Sequence, residues 1–164
     1  MKRWSERSDE LASLFNPAFC GTLLFHSVRN YRKEADAGMP FSLTSLILPL
    51  TLNRRLRATL PKTIRTPFDV WCRREGQIMI GLADRVRALL PITRESIIFL
   101  GQHGLLIITD GALSTRARAP RGLGEFEGID EEIADCFTKA RVLGIMMARA
   151  ANEVSVLMSL GLTV

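Results

Sequence analysis

Apolar residues recur every three or four positions over most of this chain, the spacing of helices that bury one face. Asn16-Pro17 is a capping residue followed by proline at the first helical position. Phe19, Cys20, Leu23, Leu24, Val28 and Tyr31 then line one side of a helix that ends near Asp36–Gly38. From Phe41 to Leu50 polar positions nearly vanish, which predicts a helix buried on several sides. Pro49 cannot donate to Ser45, so a kink or early stop is expected there. The polar run Asn53–Thr66 predicts a short helix and a loop around Pro61. Thr66-Pro67 opens a helix bearing Phe68, Val70, Trp71 and Cys72, closed by Gly76. Ile78, Leu82, Val86, Leu89 and Leu90 make the next amphipathic face, with Arg85 and Arg87 outside and Pro91 at its end.

The pattern then changes. Thr93 caps a helix through about Gly101, with Ile97, Ile98 and Leu100 as core. Leu105–Thr109 and Ala112–Arg116 are β-competent runs around Asp110-Gly111, the residue pair that a tight hairpin turn with two positive φ angles demands. Short helices, a helix and then a hairpin follow the order of a winged helix-turn-helix. From Arg116 to Gly128 the chain reads as an Arg- and Gly-rich loop. Asp130 caps a long helix with Ile133, Phe137, Ala140, Leu143, Met147, Ala150, Val154 and Leu157 as its apolar positions, and Val142–Ala148 is apolar nearly all round. Asn152 is placed to interrupt it and cap a final short helix to Leu160. The expected fold is mainly α: one domain over 1–164, with a winged-helix-like core and one β-hairpin in 16–118. A loop follows at 119–128 and a C-terminal helical segment at 129–161.

Composition adds little to that outline except through charge. The 164 residues are 47% hydrophobic and 24% charged, a globular balance, with formal charge +5. The excess is modest, but its distribution is uneven. Between Asn53 and Arg94 ten basic residues face only Asp69, Glu75 and Asp84, whereas Glu125–Asp135 carries six acids and no base. The three cysteines, Cys20, Cys72 and Cys136, are widely spaced and read as buried thiols in a reducing compartment. A polar N-terminus and an uncharged stretch, 37–53, too short to span a bilayer give the expectation of a soluble cytoplasmic protein with no membrane contact.

Catalytic chemistry finds no foothold. His26 and His103 are the only histidines, no Cys-x-x-Cys pair exists, and Cys20 and His26 fall on different sides of one helix. There is no Gly-x-Ser-x-Gly elbow, and the glycines of 121–128 lack the Gly-Lys-Ser/Thr of a phosphate loop. No enzyme activity, metal or cofactor is therefore expected, and the acidic stretch alone is the case for a hydrolase or nuclease. The helix before the hairpin, Thr93–Leu100, carries only Arg94 as a base, opposed by Glu95, which argues against sequence-specific DNA reading. Arg54, Arg55 and Arg57, or Arg116, Arg118 and Arg121, could still meet phosphate or an acidic partner.

Taken together, Asn16-Pro17-Ala18-Phe19-Cys20 with Leu23-Leu24, Gly38-Met39-Pro40-Phe41, Leu46–Leu50, Leu60-Pro61, Arg65-Thr66 and Gly104-Leu105-Leu106 form a recognisable series. With the tail Ala140–Gly144 and Leu160-Gly161-Leu162, the chain resembles the middle component of bacterial three-component ABC systems, Lamassu-type defence systems among them. The resemblance implies a non-enzymatic adaptor between an SMC- or Rad50-like ABC ATPase and an effector such as a nuclease, acting against phages or plasmids. The chain departs from the family pattern at Asn152, where a Gly- or Pro-containing break is common. Leu143, Met146, Met147, Val154, Leu157 and Met158 are the expected partner contact, with a homodimer as a further possibility. The alternative reading is a winged-helix DNA-binding regulator.

Overall fold

The computed structural model describes residues 15–116 and 130–162. Helix α1, Pro17–Ala35, is followed by a two-residue strand β1, Met39–Pro40, and by α2, Phe41–Leu52. Two short helices, α3 (Arg54–Thr59) and α4 (Phe68–Arg74), and a single 3-10 turn (Gly76–Met79) lead into the long α5, Leu82–Gln102. The hairpin β2 (Leu106–Thr109) and β3 (Ala112–Thr115) comes next, then α6 (Glu131–Ala148) and α7 (Glu153–Ser159).

Local chemistry accounts for most of these limits. Asn16 Oδ1 accepts from the Ala18 N–H at 2.8 Å, with Pro17 at the first helical position, as the sequence predicts. Asp130 caps α6 through the Glu132 N–H and Asn152 caps α7 through the Ser155 N–H, each at 2.8 Å. Thr66 is not a cap: Pro67 holds the N-cap position of α4 and no side chain bonds there. Asp110 and Gly111 have φ of 51° and 74°, so the hairpin turn is of the expected type with both residues left-handed.

Two proline expectations need correction. Pro91 does not end a helix; α5 runs straight through it for 21 residues, and Thr93, expected as a new cap, is buried inside it. Pro91 is exposed, so the Arg87 carbonyl it leaves without a backbone donor can turn to water. Thr93 bonds back to the Leu89 carbonyl at 3.1 Å. Likewise α2 continues three residues past Pro49, to Leu52.

The sheet was only partly foreseen. Met39 and Pro40 pair antiparallel with Leu113 and Ala112, so β1 adds to the hairpin and the strand order is β1-β3-β2. The Phe41 N–H donates to the Gly111 carbonyl at 3.1 Å and ties the start of α2 to the turn.

The core forms around α1, whose most extensive packing is against α6 and then α5, with α2 touching both of those helices. Leu23, Leu24, Phe25 and Val28 of α1 and Leu43 to Leu50 of α2 are buried, with Ala140, Leu143 and Met147 of α6. The helices α1 and α6 approach closely at Gly144, where a Cβ would collide with the Ser27 carbonyl. Cys20, Cys72 and Cys136 are free and buried, and burial pushes the Cys20 and Cys72 thiols up to about 12. No single described helix is long and apolar enough to cross a membrane.

Candidate interaction surfaces

The two charge blocks that the sequence separates meet in space. Arg57, on α3, is buried and points its guanidinium at the first turns of α6. It donates to Asp135 Oδ2 at 2.9 Å, to Glu132 Oε1 at 2.5 Å and to the Thr51 carbonyl at 2.9 Å. Burial opposes its charge, but the bonds to Glu132 and Asp135 outweigh that and raise its pKa further. Arg54, Arg57, Asp130, Glu131, Glu132 and Asp135 share one open depression. Lys139, one turn on, is also buried and donates to the Leu60 and Pro61 carbonyls at 2.7 and 3.3 Å; desolvation lowers its pKa. Arg149 closes the series, pairing with Glu34 at 2.8 Å and bonding the Ile64 carbonyl at 3.0 Å. These cations fasten α6 to the 51–64 segment and to α1. Arg57 is thus a structural bolt and not the exposed contact expected of it.

The expected apolar contact divides in two. Leu143, Met146, Met147 and Leu157 are buried, at 0 to 8% exposure, and belong to the core. Val154 and Met158 are 46% and 70% exposed and lie four residues apart on one side of α7, while Val156 and Leu157 anchor that helix from the other side. Near the bend between α6 and α7 there is a groove of about 470 Å³ lined by Ile64, Phe68, Met146, Ala150 and Ser155, among others. Of the basic candidates, Arg54, Arg55 and Arg116 are exposed; Arg118 and Arg121 lie outside the described residues.

Sequence reasoning missed two surfaces. Ile98 on α5 and Ile107 and Ile108 on β2 were assigned to core or strand, yet they are 60%, 45% and 59% exposed. Consecutive exposed isoleucines cannot be read from a period-2 pattern, because one of them always falls on the nominally buried face. Arg29, Arg32 and Lys33 are spaced to fall together on one face of α1. His26 is 3% exposed and packs edge-on against Phe25 and Phe137. Burial, with Arg141 and Arg29 nearby, holds its imidazole down to about 4. His103 ends α5, its Nδ1 2.8 Å from the Phe99 carbonyl. Among the described residues no three metal-ligating side chains cluster.

In comparison with known proteins, the family model described as "ABC-three component (ABC-3C) system Middle Component 3" matches residues 4–164. No curated protein and no solved structure matches the chain.

Proposed function

We propose that this chain, which belongs to the ABC-three component system Middle Component 3 family, is a non-catalytic adaptor that couples an SMC- or Rad50-like ABC ATPase to an effector such as a nuclease. Membership in a multi-component system implies partner proteins. The observation that carries the adaptor reading is the surface of α7. Its short length is fixed to the core by Val156 and Leu157, while Val154 and Met158 present apolar side chains to solvent, and methionine suits an adaptable interface. The reading places the complex in the cytoplasm, in defence against phages or plasmids. Co-purification of the tagged chain with the products of neighbouring genes, followed by mass determination after size exclusion, tests it. A complex that holds both the ATPase and the effector is the expected result, whereas a chain that runs alone or only as a homodimer rejects it.

A second reading, a winged-helix DNA-binding regulator, has one observation in its favour. The succession α1-β1-α2 and, after α3, α4 and the 3-10 turn, α5-β2-β3, with strand order β1-β3-β2, supports it. Under this reading α5 and the hairpin approach DNA, with Arg116 at the end of the hairpin. Selection of a preferred operator from random duplexes by the isolated chain would favour it; the absence of any DNA shift at low salt excludes it.

A further inference from the structure

One cleft joins two elements far apart in sequence and is built almost wholly of cations. It is an open depression of about 280 Å³, lined by Arg29, Arg32 and Lys33 of α1, Asp36 at that helix's C-terminus, and Thr115 and Arg116 at the end of β3. Arg32 is fixed there, donating from Nη1 to the Thr115 carbonyl at 2.6 Å, which clamps α1 to β3. Arg116 stretches its guanidinium across the base of the hairpin, close to Gly104.

Part of this charge has an ordinary explanation. Arg32 and Lys33 sit in the last turn of α1, where cations suit the negative end of the helix dipole. That does not account for Arg29, a turn earlier, or for Arg116, which belongs to another element. Among the described residues only Asp36 supplies a carboxylate to the cleft, and their balance is positive.

We infer that this cleft binds the phosphate backbone of duplex DNA without regard to sequence. Several arginines and a lysine around an open hollow match phosphate oxygens, which need charge and donors but no particular base. Among the described residues no aromatic side chain lines the cleft, and so they offer none of the stacking platforms by which proteins hold single strands. The inference is independent of the adaptor and of the operator-reading regulator, and it requires neither.

The test uses the full chain alone and a fluorescent 30-base-pair duplex, with anisotropy read across a salt series. The site variant is Arg29→Gln/Lys33→Gln/Arg116→Gln; Arg32 stays, because its bond to Thr115 is structural. The control variant, Arg73→Gln/Arg74→Gln/Arg87→Gln, removes the same charge from arginines that each pair with a surface carboxylate. Site-variant affinity in ~50 mM salt is expected to fall at least about tenfold, and the slope of log affinity on log salt to shrink by about 2 to 3. The control should stay within about twofold. Should the triple variant fail to fold, Lys33→Gln alone, fully at the surface, is expected to weaken binding about threefold by the same counterion argument. Equal loss in both triple variants, or no binding by the wild-type chain at that salt, overturns the inference. So does a wild-type chain that ignores DNA but loses an acidic protein partner when the cleft is changed.

Discussion

At the scale of single residues, buried polar groups do more than their number suggests. His26 is folded into an aromatic contact as a neutral ring, with its pKa held near 4 against an ordinary 6.5. The unfolded chain therefore binds a proton that the native state refuses, and stability contributed by this residue is full above pH 6.5. It is lost as pH falls from 6.5 towards 4, by up to about 3 kcal/mol. Urea titrations of wild type and His26→Gln over that range should show a steeper loss in the wild type; parallel curves would remove His26 as the source. Gly144 acts by what it lacks. Alanine there gains helix propensity of about 1 kcal/mol but drives a methyl into the Ser27 carbonyl, so α1 and α6 must part. A net destabilisation of about 2 kcal/mol is expected in equilibrium unfolding, and an unchanged midpoint would mean that the two helices can slide. Neither role was legible in the sequence, because an imidazole's burial and a glycine's neighbour both depend on a helix more than a hundred residues away.

Elements were more legible than residues, for a physical reason. Caps and turns act over three or four residues, and so Asn16, Asp130, Asn152 and Asp110-Gly111 could be placed from sequence and are found in those roles. Pro91 failed because its penalty is local while the packing of α5 is not. Ile97 and Leu100 beyond the proline bury against the core together with Leu82 before it, and that burial outweighs one lost hydrogen bond. Pro91→Ala should consequently raise stability, by roughly 1–3 kcal/mol, seen as a higher melting temperature. A lower one would show that α5 needs the proline's bend to reach both neighbours. Strand β1 went unread since two residues, one of them proline, make no pattern; it exists only because β3 offers a partner.

For the whole molecule the sequence could not tell core from exterior within the expected partner contact: Leu143, Met146, Met147 and Leu157 are buried, whereas Val154 and Met158 are exposed. Val142, Leu143, Met146 and Met147 are buried, and α6 packs against both α1 and α2. Met147→Asp would put a charge in the core and test folding, not partnership. The informative pair is Val154→Gln/Met158→Gln, which leaves Val156 and Leu157 in place. It should keep wild-type circular dichroism and melting temperature while losing the partner in co-purification. Retention of a full complex by that variant would move the contact elsewhere, with Ile98, Ile107 and Ile108 the next surface to change. The charge asymmetry along the chain proved to be partly an internal seam, Arg57 with Glu132 and Asp135, and only the cations beyond it remain for other molecules.

The pairing of α1 with α6 also sets an order of events during synthesis. When translation has reached Arg116, α1, α2, α5 and the hairpin have been made, but nothing of α6, whose Phe137 packs against Phe19 and His26 of α1. At about 5–20 residues per second, α6 takes several seconds more to be made. Through that interval the nascent chain carries an open greasy flank, and a message cut short before Asp130 would yield a product fit for chaperones and proteases alone.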